Sequence, residues 1–262
     1  MARSNRAQAR SDLANRLRHQ GTSCEASAHA VPFVAALACD PTTPDRHDVV
    51  GLLAWLAVGL NDEHLPYGYD IAAHRHLVAE INAQRTEPPD QRAIWSHQEN
   101  ALNSYDLVRL RLPRLRHLTY APEPGVRSAI AFLLAWFPEE AGPNAAALLG
   151  MLDIEHDAAA RANAAIALGL LEASESIRHL RSMTTNPDAC VRWAAAMALA
   201  RLGEVNEAGV ALITERAGQP HERMDDAILF HYGEIAIYSA KTLRAFVPGA
   251  PAYIPPNEDP WA

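Results

Sequence analysis

The chain has 262 residues, with 31 acidic against 23 basic side chains and a net charge of -8; nearly half is apolar, and about a fifth is alanine. That balance excludes a general nucleic-acid coat, which needs a basic stripe to displace phosphate counterions, and the length allows one or two compact domains or one repeat array. Cys24, Cys39 and Cys190 are odd in number and far apart, so no disulfide framework is implied and a reducing, cytoplasmic setting is expected. The longest apolar run, Val49 to Leu60, is too short to span a membrane.

Sustained β-branched alternation is missing, so the elements read as helices. A helix over Asn5 to Arg18 is expected to open the array as half a repeat. A pair of helices follows, one around Val31-Pro32-Phe33 and one starting at Asp45-Arg46. Residues 60–104 break the pattern. They are expected to hold a helix from Asp70 to Gln84, a break at Glu87-Pro88-Pro89-Asp90 and a helix from Gln91 to Asn103. This excursion should pack on the array, with the loop Leu65-Pro66-Tyr67-Gly68-Tyr69 near the mouth of its groove. Helical pairs resume at Leu112-Pro113-Arg114 and run to residue 246. Asp157 and Asp188 are suited to N-cap the helices behind them. The stretch 247–262 holds five prolines and is expected to be extended.

The helices share a register. Arg10, Arg46, Arg127, Arg161, Arg192 and Arg223 align, and four residues later come Ala14, Val50, Ala131, Ala165, Ala196 and Ala227. Seven residues later come Leu17, Leu53, Leu134, Leu168, Leu199 and Phe230. Offsets of zero, four and seven share one side of a helix, so these columns predict a buried seam between repeats. In the preceding helices, Leu37, Leu118, Leu152 and Met183 occupy one column, nine residues before their arginines. The predicted fold is all-α: one αα-superhelix over residues 1–246, of about six helical pairs.

The opposite face of each second helix holds offsets two, five and nine and is expected to line the concave groove. It places Trp55, Phe132, Trp136, Asn163, Ile166, Leu170, Met197 and Asp225 along that groove, with Trp193 at its margin. Large apolar groups facing solvent mark a contact surface, and tryptophan is enriched at binding hot spots. The same positions also suit burial between repeats.

The pairs Val126-Arg127 and Val191-Arg192, and the helix ends Ala167-Leu168-Gly169 and Leu202-Gly203, resemble HEAT repeats, in particular the HEAT-like repeats first named from phycobilisome lyases. The segments His19-Gln20-Gly21-Thr22, Glu25-Ala26-Ser27 and Ala30-Val31-Pro32-Phe33 resemble a group of uncharacterised bacterial HEAT-repeat proteins. The resemblance implies an acid about six residues before each arginine. Asp40 and Glu155 match that pattern, Asn186 matches it less well, and Ala121 and Ala217 depart from it. The six arginines are then a structural ladder between repeats.

No zinc, nucleotide-binding, Ser-hydrolase or paired-cysteine motif is present, so no cofactor and no metal are expected; His76 and Glu80, at i and i+4, read as a surface pair. The leading expectation is a non-enzymatic solenoid that binds a protein partner at its concave face, as an inhibitor or immunity protein for a basic toxin or as a scaffold. The rival is a HEAT-like DNA glycosylase or another DNA-repair enzyme, with Trp193, Trp136 and Asp225 at the damaged nucleotide. A single lysine and a pI near 5.8 count against it.

Overall fold

The computed structural model describes residues 8–9, 12–13, 16–19, 22–84, 96–219 and 225–250. Arg18–His19 pairs antiparallel with Thr22–Ser23 in a two-residue ladder, and everything else regular is helical. The helices are α1 (Glu25–Cys39), α2 (Arg46–Val58), α3 (Ile71–Ala83), α4 (Ser96–Arg109), α5 (Leu112–Leu115), α6 (Pro124–Leu134), α7 (Ala141–Leu152), α8 (Ala158–Leu170), α9 (Ile177–Met183), α10 (Ala189–Arg201), α11 (Glu207–Ala217) and α12 (Ile235–Phe246). Among the described residues no helix is long and apolar enough to cross a membrane.

The sequence explains where these helices start. Asp157 accepts a hydrogen bond from the Ala160 amide at 2.9 Å, and Asp188 accepts from Cys190 and Val191, so both cap as expected. Asp70 and Asn206 cap α3 and α11 in the same way. The inner series α2, α6, α8 and α10 packs each helix on the next, and α1, the 3-10 turn Arg116–Tyr120, α7, α9 and α11 back them.

The arginine register holds across these four inner helices. Val50, Ala131, Ala165 and Ala196, and Leu53, Leu134, Leu168 and Leu199, are at most 3% exposed. A Cβ on Gly169 would stand 2.8 Å from the Ala198 Cα, so glycine lets α8 and α10 approach this closely.

Three expectations need correction. The sixth register row does not form a helix: Arg223 lies outside the described residues, Ala227 sits in a turn and Phe230 in the 3-10 turn Phe230–Gly233. His231 and Tyr232 take positive φ there, which a helix cannot carry, and the chain resumes as α12, which packs on α11 and α10. Leu37 is 49% exposed beside Phe33, because α1 turns Val31, Val34, Ala35 and Ala38 inward. The second insertion helix, expected to end at Asn103, runs as α4 to Arg109 and packs on α1 and α2. The first-layer helix expected around Pro113 is thereby cut to the single turn α5 and the 3-10 turn behind it. Arg10 in the first register row, the Glu87–Asp90 break and residues 251–262 lie outside the described residues.

Candidate functional site

The inner face is divided into a filled part and an open part. In the filled part, Phe132, Trp136, Asn163, Ile166, Leu170, Trp193 and Met197 are all buried, with Trp136 and Trp193 at 0% exposure. The expectation that they face an open groove is corrected: the chain folds two of its own segments across them. One is the loop after α2, residues 59–70; the other is residues 225–246.

Both segments are held by specific contacts. Phe230 sets its ring 4.9 Å from Phe132 and 5.8 Å from Trp136, centroid to centroid, and the His64 ring lies 6.3 Å from that of Trp136. Trp193 donates its indole N–H to Ser239 Oγ at 2.8 Å. Asn163 grips the crossing backbone twice, donating to the Ala227 carbonyl at 2.7 Å and accepting from the Leu229 amide at 3.0 Å. Arg201 donates to the Pro66 and Tyr67 carbonyls and lies over the Phe246 ring. The two segments also bind each other, through the His231 amide to Asn61 Oδ1 and Lys241 to the Asp62 carbonyl. Sequence reasoning missed this covering, because its contacts join residues far apart in the chain.

The open part lies toward α2. There a cleft of about 460 Å³ is bounded by α2, the start of α6, the turn before α8 and residues 226–232. Its apolar wall includes Trp55, one side of Phe132, Leu229 and Tyr232, and Asp48, Asp157 and Asp226 bring carboxylates to it. Trp55 is half-buried, the most accessible of the predicted groove aromatics, and shares this wall with Phe132. Asp225 does not line the cleft. Its carboxylate accepts from the Ala227 amide, and it faces Cys190, whose thiol is pushed up to about 12 by burial and then by Asp225 and Asp188. Asp226, next in sequence, takes the place expected of Asp225. Ser128 also lines the cleft; it is 6% exposed, and its Oγ makes no hydrogen bond.

Behind Trp55 a second cleft, of about 690 Å³, holds His64, His74 and His97. Burial, outweighing the Gln98 contact, lowers the pKa of His74, and its ring is pinned between Tyr69 Oη at 2.5 Å and the Gln98 carbonyl at 3.1 Å. That arrangement favours a neutral, structural imidazole. Among the described residues no group of three His, Cys, Asp or Glu side chains is placed to hold a metal.

The ladder arginines do two jobs, and Arg127, which also donates to the Ala121 and Pro122 carbonyls, does both. Arg46 reaches Glu123 at 2.6 Å and Arg127 reaches Glu155 at 2.5 Å, each tying its repeat to the next. Arg161 donates to the Glu155 carbonyl, and Arg192 to the Asn186 and Pro187 carbonyls, closing the turns before their own helices. Burial opposes the charge on Glu155, but Arg127 and the Asp157 and His156 amides outweigh it and hold the carboxyl below the usual glutamate range.

The residues cast for DNA repair are not available to a nucleotide, since Trp136 and Trp193 are sealed in the core and Asp225 is tied into its turn. Arg109 and Arg116 are spent on Glu139 and Glu140, with Arg75 joining Glu139 and Asp106 to the same network. A family model described as HEAT repeats matches residues 109–200 and, overlapping them, 145–228. No curated protein and no solved structure matches the chain significantly.

Proposed function

The chain is a HEAT-repeat protein, and from that premise we propose that it acts without catalysis of its own, by binding another polypeptide where its inner face stays open. The observation that carries this reading is the Asn163 grip. The inner face already holds a length of non-helical chain by a carboxamide on its backbone and by Phe230 seated against Phe132 and Trp136. These are the means by which a groove binds a foreign segment: backbone hydrogen bonds for hold and a pocketed aromatic for specificity. Next to them lies a stretch of predicted groove that the described segments do not fill. The net charge of -8 suits a basic partner, whose association it would steer. In that role the protein serves as an inhibitor of a basic protein or as a scaffold.

The test is site-specific crosslinking in host cells. A photoreactive residue in place of Tyr232, at the cleft, should trap a discrete protein. One in place of Phe33, on the outer helix α1, should not. Equal trapping at both positions, or none at Tyr232, would reject the reading.

A further inference from the structure

We infer that the cleft beside Trp55 is a receptor for an arginine side chain carried by an extended segment of the protein partner. The inference rests on the protein-binding reading and makes it chemically specific.

Three features of the cleft converge on a guanidinium. The first is charge. Asp48, Asp157 and Asp226 come to a wall whose other members are mostly apolar, and among the described residues His47, 3.4 Å from Asp48, is the one basic side chain along it. A cation entering a partly desolvated site of this kind gains more from carboxylates than it would in open water. The second is shape. Trp55, Phe132 and Tyr232 line the same space, and a planar guanidinium stacks on aromatic faces while its three-methylene stem lies along apolar surface. A compact, strongly hydrated ammonium fits such walls less well. The third is Ser128, whose Oγ is buried on the cleft wall without a hydrogen-bond partner. A buried hydroxyl left unpaired is costly; this one is closed off behind the wall, so it would take one of a guanidinium's five N–H donors only as the wall gives way around the entering group, the others going to the carboxylates. About 460 Å³ leaves room for an arginine side chain together with part of the extended segment that carries it.

The same molecule supplies a parallel at the filled end. Arg201 occupies the register position of Trp55, and its guanidinium lies 5.2 Å over the Phe246 ring while donating to backbone carbonyls and to Glu172. The inner face thus already accommodates a guanidinium between an aromatic ring and oxygen acceptors.

The experiment titrates the full chain with the peptide acetyl-Gly-Gly-Arg-Gly-Gly-amide, read by NMR at the Trp55 indole and the Ser128 and Asp226 amides. The control peptide carries citrulline, which keeps the shape of arginine and removes its charge. Saturable shifts at those three positions with the arginine peptide alone support the inference. So does a weakening of about tenfold in the Asp48→Asn, Asp226→Asn double variant, as expected when charge-assisted hydrogen bonds are lost. Asp157 is left unaltered because it caps α8, and Glu175→Gln on an exposed turn controls for overall charge. Equal binding of the citrulline peptide, shifts elsewhere, equal weakening by Glu175→Gln, or no shift at millimolar peptide would each overturn it. If crosslinking at Tyr232 still traps a protein while the peptide fails, the arginine receptor is wrong and the protein-binding reading survives. If both fail, both are wrong.

Discussion

The two ends of the inner face are built from the same register and have opposite fates. At the filled end, positions five and nine after the ladder arginines carry Phe132, Trp136, Ile166, Leu170 and Met197, and all are buried under residues of the loop 59–70 and of 225–246. At the open end, position nine carries Trp55, which keeps one face on a cleft with carboxylates around it. The lesson is that register places a side chain on a face, but what else crosses that face decides whether it is core or surface.

The comparison predicts a hierarchy of mutational effects, largest where the face is filled. Replacing Trp136 with alanine should cost about 3–5 kcal/mol of stability, as for other buried aromatics, and a melting curve within a few degrees of wild type would break the assignment of this end to the core. Arg127→Ala should come next, at about 3 kcal/mol, because it strands the buried Glu155 carboxylate between repeats. Arg192→Ala removes only turn hydrogen bonds and should cost less, about 1–2 kcal/mol, so chemical denaturation of the two variants side by side separates the two kinds of ladder residue.

Asn163→Ala should cost roughly 1–2 kcal/mol and act locally. Amide exchange should speed up across residues 225–233 and stay unchanged in α10 and α11, whereas uniform acceleration would mean that the crossing segment has no separate stability. The smallest effect is a pH dependence. The folded pKa of Glu155 lies below its unfolded value, so its contribution is fully present above the ordinary glutamate value of about 4.3 and is lost as pH falls through the folded value. The Glu155→Gln variant should therefore show a shallower loss of stability on the acid side, and an identical acid profile would contradict the role given to the Arg127–Glu155 pair.

The repeats themselves were legible because their signals are local. Offsets of four and seven from Arg46, Arg127, Arg161 and Arg192 mark buried seams, and Asp157 and Asp188 mark the helix starts; all of this is written within one helix and its turn. The sixth row failed because Ala227 and Phe230 match the column without being helical, and nothing in the column itself records the left-handed backbone at His231 and Tyr232. The covering of the inner face is a non-local event. It joins Asn61 to His231 and Pro66 to Arg201 across more than a hundred residues, so no periodicity could announce it. Part of the candidate site was visible in Trp55, Phe132 and Asp48. Ser128 was not, because an alanine-rich helix gives no sign of which small residue will be buried with a hydroxyl unpaired.

The central claim, that one half of the inner face is core and the other half is surface, is tested most directly at the tryptophans. The protein would be labelled with 5-fluorotryptophan, its fluorine resonances assigned by single Trp→Phe replacements, and a soluble paramagnetic agent added. The account predicts strong broadening of the Trp55 resonance and little of Trp136 and Trp193. Broadening of Trp136 to the same degree as Trp55 would contradict it, and would mean that the segments 59–70 and 225–246 do not cover the inner face in solution.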